Sequence, residues 1–261
     1  HLSIRRQRQM CIRDRPIIVA TKVPPKNWRW PAHSRIPLRQ VFPRDYVLKC
    51  ADASRRNLVR DTLELEQFHV WSPGWVAEPE WRDTVAELKA SGRARFVGIS
   101  VNDHEPASVI LALHTGLIDS VQVIYNIFDQ SPEDELFSVC QQLDIGVIAR
   151  VPFDEGSLTG GITPQTRFEA GDWRNFYFKG QRKQEVWARV ERLRRDLGAG
   201  EPLAQTALRF CLSHGAVSSV IPGMRTRQHV EQNVPASRAG PLPRATLAVL
   251  RRHRWLRNYY E

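Results

Sequence analysis

The residues with the most chemistry to offer stand where short apolar runs end. Lys22 closes Ile17–Lys22, His69 lies near the end of Leu63–Trp71, and Ser100 closes Phe96–Ser100. Gln122 and Asn126 belong to Val121–Asn126, Arg150 stands next to last in Gly146–Val151, and Gly223 and Arg225 follow Val217–Pro222. Together they supply an ammonium, an imidazole, a hydroxyl, side-chain amides and guanidiniums, the groups that move protons and hold anions. Singly, each has a plain reading: a solvated strand-end lysine, a satisfied core histidine, strand-end caps, a solvated helix start. Their recurrence at successive run ends is what carries meaning, because parallel strands bring such ends to one rim.

Those six runs are the strand candidates, and several are apolar almost throughout, as expected of parallel strands covered on both faces. Amphipathic stretches separate them. Ser131-Pro132-Glu133-Asp134 reads as a helix start with a serine cap and proline at the first position, followed by Leu136, Phe137, Cys140 and Leu143 on one face. Trp81, Val85 and Leu88 form such a face before Gly92, and Leu203, Ala207 and Cys211 another before Gly215. Alternating strands and helices predict an α/β fold, either an open doubly wound sheet or part of a (β/α)₈ barrel. Periodicity does not choose between them, but the G-x-G-x-x-G turn of a dinucleotide-binding sheet is lacking.

The 261 residues, 42% of them hydrophobic, suffice for one sizeable domain. The formal charge of +10 invites a nucleic-acid reading, but such a protein would need its arginines clustered on one face with aromatics, and the charges here are dispersed. Residues 1–15 hold five arginines against Asp14 and have no helical or strand period, so they stand outside the fold reading as a non-native or disordered segment resembling translated sequencing-adapter read-through. No stretch reaches a membrane-spanning length. Cys11, Cys50, Cys140 and Cys211 show no paired spacing, which predicts reduced thiols, no metal centre and a cytoplasmic protein.

Six segments, in order, resemble landmarks of the aldo/keto reductase family: Ile18-Val19-Ala20-Thr21-Lys22, Gln67-Phe68-His69, Val97-Gly98-Ile99-Ser100, Val121–Asn126, Gly156-Ser157-Leu158-Thr159-Gly160 and Val220-Ile221-Pro222-Gly223. The stretch from His253 to Tyr260 is similar to the tail of its bacterial members. The resemblance runs from about Pro16 to the C-terminus and implies a (β/α)₈ TIM barrel in which Ile17–Lys22 is the third strand and Val217–Pro222 the eighth. On that alignment residues 16–261 form an incomplete barrel without the first two strands and without the catalytic aspartate and tyrosine they carry, so the expectation is an inactive fragment. The activity implied is reduction of aldehydes or ketones by hydride from NADPH, with NADH possible, on a small-molecule carbonyl substrate and with no nucleic-acid or membrane partner. An inactive nicotinamide-nucleotide-binding barrel, serving as sensor or subunit, is the alternative.

The resemblance also implies roles. Lys22 would lower the pKa of an acidic tyrosine, and His69 would orient the substrate oxygen. Ser100 and Gln122 would hydrogen-bond the nicotinamide carboxamide. Arg150 stands where relatives stack an aromatic ring, and could stack or pair with the pyrophosphate. Gly223 would let the backbone approach a phosphate, Arg225 would take the 2′-phosphate, and Gln232 and Asn233 would lie near the adenine. Val101 replaces a frequent asparagine, and His229 and Gln232 depart from the commoner arginine and glutamate. The aromatic stretch from about 159 to 183 is expected to fold over the cofactor as a lid, and Pro24–Asp45, with Trp28 and Trp30, to line the substrate pocket.

Overall fold

A computed structural model describes residues 17–260, so the segment 1–15 lies outside the described residues. The strands are β1 (Ala20–Val23), β2 (Leu63–Phe68), β3 (Ala94–Ser100), β4 (Ser120–Ile124), β5 (Gly146–Arg150) and β6 (Val217–Ile221), their ends falling within three residues of those of the runs read from sequence. They form a six-stranded sheet in chain order, and the registered pairs β1·β2, β2·β3, β3·β4 and β5·β6 are parallel. The helices are α1 (Leu38–Val41), α2 (Arg44–Leu58), α3 (Glu80–Ala90), α4 (Ile110–Leu113), α5 (Leu136–Gln142), α6 (Arg174–Tyr177), α7 (Arg182–Leu197), α8 (Leu203–Leu212), α9 (Arg227–Asn233) and α10 (Arg244–Arg251). Among the described residues, no helix is long and apolar enough to cross a membrane.

The chain divides into two compact units, one running to Gln122 with Gln142–Ile145, the other holding Val123–Gln141 and everything from Gly146. In the first unit one sheet face presents Val23, Phe68, Ile99 and Val121, each at most 2% exposed. Trp71 packs edge-on between Trp75 and Trp81, whose ring centroids lie 5.7 and 5.2 Å away. Trp81, Val85 and Leu88 are buried on α3 as the sequence predicts. The Leu38 amide that opens α1 donates to the Glu78 carboxylate, 40 residues along the chain, because Pro37 before it offers no side-chain acceptor.

The second unit is built on Tyr125, stacked on Phe210 at 5.3 Å and edge-on to Phe137 at 4.9 Å. Its hydroxyl donates to Glu133 and its carbonyl accepts from the Cys211 thiol. Leu203, Ala207 and Cys211 are buried on α8 as expected. Two expectations for the helix after β4 fail. Ser131 does not cap it: the Ser131 hydroxyl donates to Asp129, residues 131–133 form a 3₁₀ turn, and α5 starts at Leu136. Leu136, Phe137 and Cys140 are buried, but Leu143 lies beyond the end of α5 and is 36% exposed. Cys50, Cys140 and Cys211 are free thiols.

Candidate functional site

In the first unit, strand register decides which polar side chains share a surface. Lys22 pairs with Gln67, Gln67 with Gly98, and Gly98 with Ser120. One step further along, Ser100 pairs with Gln122, and His69 follows Gln67 by two residues. Since side chains alternate along each strand and register partners in parallel strands project alike, Lys22, Gln67, His69, Ser100 and Gln122 lie on one face. That is the face opposite Val23, Phe68 and Ile99. Gly98 is needed in this layer: a Cβ there would stand 2.3 Å from the Ser120 hydroxyl and 2.9 Å from its carbonyl oxygen.

This face is polar and largely dry. Ser100, Gln122 and Gln67 are 2%, 2% and 1% exposed, whereas Lys22 and His69 are half-buried. Gln67 Nε2 donates to Gln122 Oε1 at 3.4 Å, leaving Gln122 Nε2 and Gln67 Oε1 buried with no partner. Unpaired buried amide atoms are costly, and these two stand on the face that carries Lys22, His69 and Ser100. Sequence reasoning missed Gln67; its position two residues before His69, on the same strand face, was the available signal.

Beside His69 stand two aromatic rings of the 24–45 segment. Trp30 meets the imidazole edge-on at 5.8 Å and Trp28 in turn meets Trp30 at 5.8 Å. Asn102 pins this segment, its side chain bonding both the amide and the carbonyl of Ala32. Tyr46, the one tyrosine of the described first unit, is committed elsewhere: its hydroxyl donates to the Pro24 carbonyl at 3.0 Å. Burial, with the Cys50 thiol beside it, pushes its pKa up to about 12, away from acid duty.

In the second unit a cleft of about 640 Å³ is lined by Pro152, Glu155, Gly156, Trp173, Gly223, Arg225 and His229 among others. One wall is the turn after β5, where Asp154 and Glu155 take positive φ of 48° and 56° and Gly156 of 104°. The opposite wall follows β6, where Gly223 has nothing within 4 Å of where a Cβ would stand, so the backbone is open to close approach. Asp172 accepts from Arg174, which with the Arg174 amide holds its carboxyl down at about 2. The segment 159–183 therefore contributes Trp173 and Arg174 to the cleft wall, and Phe168 stacks on Phe178 at 5.7 Å behind it.

Arg150 ends β5 opposite Ile221, half-buried. Gln232 and Asn233 sit at the far end of α9, Gln232 exposed and Asn233 buried, and neither lines the cleft. Nor is the first turn of α9 open throughout: the Thr226 hydroxyl caps it by accepting from the His229 amide. No group of metal-ligating side chains occurs among the described residues.

Comparison with known proteins identifies the family. The model of the aldo/keto reductase family matches residues 9–254, beginning inside the N-terminal segment set apart above. The chain is 26% identical over 234 residues to a pyridoxal 4-dehydrogenase of Microbacterium luteolum, covering 81% of this chain and 64% of that protein. It is 27% identical over 194 residues to an NADH-specific methylglyoxal reductase of Escherichia coli (strain K12), covering 67% and 55%. The chain thus spans between half and two thirds of the length of these relatives. Among solved structures, the holo form of the aldo-keto reductase AKR11C1 from Bacillus halodurans superposes with a TM-score of 0.71 at 25% identity, over 98% of this chain and 80% of that one. With the family model matching most of the sequence, this chain belongs to the aldo/keto reductase family.

Proposed function

We propose that this chain binds NADPH and reduces small aldehydes or ketones to alcohols. The observation that carries the reading is the shared face of Lys22, His69, Ser100 and Gln122 at the C-terminal ends of β1–β4, where α/β folds of this kind place their chemistry. The residues fit a nicotinamide nucleotide: Gln122 Nε2 is a buried, unpartnered donor for a carboxamide, and Arg225 beside the open Gly223 backbone suits a phosphate. When bound, the nucleotide supplies the hydride.

The chain's own residues do the rest. Ser100 and Gln122 orient the nicotinamide ring through its carboxamide, His69 donates to the substrate oxygen, and Lys22 stabilises negative charge that develops on it. Trp30 presses on the imidazole and shields the carbonyl from water. Arg225 donates to the 2′-phosphate, with Arg150 available to the pyrophosphate or the ring face. With Tyr46 bound to Pro24, proton delivery within the described first unit rests on Lys22, His69 and water, so turnover is expected to be slow. The reading is tested by titrating the chain with NADPH while following tryptophan fluorescence, since Trp173 lines the cleft, and then by adding an aromatic aldehyde and following NADPH oxidation at 340 nm. Micromolar binding and substrate-dependent oxidation support it; no binding of either NADPH or NADH overturns it.

A further inference from the structure

Two buried glutamines, Gln67 on β2 and Gln122 on β4, meet side by side on the polar face, and only one of them has a ligand-binding role in the reading above. Their geometry fixes how each amide is turned. Gln67 Nε2 donates to Gln122 Oε1, so the oxygen of Gln122 is occupied and its Nε2, buried and without a partner, is the atom left to face a ligand. Both side chains are buried, at 1% and 2% exposure. An amide in such a place is held in one orientation by whatever bonds its other end.

We propose that Gln67 is a positioning residue for cofactor recognition: it locks the Gln122 amide so that its N–H₂ donates to the carbonyl of the nicotinamide carboxamide, and the site thereby reads that carbonyl rather than the carboxamide N–H₂. The inference rests on the assignment of Gln122 to the nicotinamide. Gly98 supports it sterically, because the layer between the two glutamines has no room for a side chain: a Cβ at Gly98 would meet Gln67 Cγ at 3.1 Å as well as Ser120. Gln67 therefore packs flat against the β3 backbone with its amide aimed across to β4. The consequence is a chemical preference. A cofactor analogue that keeps the carbonyl but lacks the amide nitrogen, the 3-acetylpyridine analogue of NADP⁺, retains the Gln122 contact in the parent chain. Once Gln67 no longer holds Gln122, that amide is free to turn and accept from a carboxamide N–H₂, which the analogue does not have.

The experiment measures dissociation constants of NADP⁺, its 3-acetylpyridine analogue and 2′-phospho-ADP-ribose, which lacks the ring altogether, for the parent chain and for Gln67→Met and Gln67→Glu. Gln67→Met keeps length and removes both amide atoms. Gln67→Glu offers a carboxylate that only accepts, so Gln122 Nε2 turns towards it and Oε1 faces the ring. In both variants the preference for NADP⁺ over the acetylpyridine analogue is expected to rise about 2- to 10-fold, the worth of one hydrogen bond, with 2′-phospho-ADP-ribose affinity unchanged. A preference ratio unmoved in both variants overturns the inference while leaving the cofactor reading intact. Equal loss for all three ligands means that Gln67 only supports the fold, and also overturns it. Failure of the parent chain to bind NADP⁺ or 2′-phospho-ADP-ribose overturns the cofactor reading itself.

Discussion

In the proposed reading Lys22 serves the reacting carbonyl and Arg225 a cofactor phosphate, and single substitutions should separate the two roles. Lys22→Met removes a positive charge from the polar face. The rate of NADPH oxidation should fall about 100-fold, the low end of what one proton-transfer group contributes, while the NADPH dissociation constant changes little. Parallel losses in rate and affinity would assign Lys22 to binding. Arg225→Ala removes a guanidinium that lines the cleft beside Gly223. A charge-assisted contact is worth about 1.5–3 kcal/mol, so NADPH affinity should drop about tenfold or more and NADH affinity hardly at all. Equal losses for the two nucleotides, measured by fluorescence titration, would remove Arg225 from the 2′-phosphate.

Strand β2 shows how one element serves two faces and what the sequence hides. Gln67 and, just past the strand's end, His69 face the polar layer, while Glu66 turns to the side of Phe68, Val97 and Ile99, where it is 1% exposed and both carboxylate oxygens lack side-chain partners. Burial pushes its pKa up to about 8, with a Gln67 backbone contact opposing. The folded state therefore holds this proton more tightly than the unfolded chain, whose ordinary value is 4.5. Its contribution to stability is fully present below 4.5 and is lost as pH rises to about 8, at about 1.4 kcal/mol per pH unit. Glu66→Gln should flatten that decline, so urea midpoints of parent and variant, similar near pH 5, should diverge in the variant's favour by pH 8. Coincident midpoints at both pH values would show that Glu66 ionises freely. The strand itself was legible, as were all six, because an apolar run between turn residues needs no tertiary knowledge. Glu66 was not, since a glutamate in L-E-L-E reads as solvent-facing until α2 covers it. Lys22, His69, Ser100 and Gln122 were legible through the resemblance, but Gln67 depends on a partner 55 residues away and Ser131 on a neighbour, Asp129, that captures its hydroxyl before the helix can.

On the scale of the whole chain, the last residues return to hold the turn that walls the cleft. Arg257 pairs with Asp154 across 103 residues, with side-chain exposures of 7% and 5%, and its guanidinium lies 4.1 Å from the Trp255 ring centroid and 4.9 Å from that of Tyr259. Tyr177 adds a hydroxyl to Asp154 at 3.4 Å, and Tyr260 bonds Glu155 while stacking on Trp173. Asp154 and Glu155, like Val151 before them, take a positive φ in the turn after β5, a conformation that stores about 1–3 kcal/mol at each non-glycine residue unless its surroundings enforce it. The tail supplies that enforcement. Arg257→Ala leaves a buried carboxylate uncompensated and should destabilise the chain by about 3–5 kcal/mol. The paired change Arg257→Met with Asp154→Asn removes both charges and should recover much of that loss, because the desolvation of two ions disappears with their attraction. If the bend is held by the ion pair rather than by the aromatic stack, the paired variant will fold yet bind NADPH more weakly, through a loosened Glu155–Gly156 wall. Thermal melts of the single and double variants, with NADPH titrations of the double, decide the matter: a double variant no more stable than Arg257→Ala would show that the aromatic packing around Arg257, not its charge, anchors the tail.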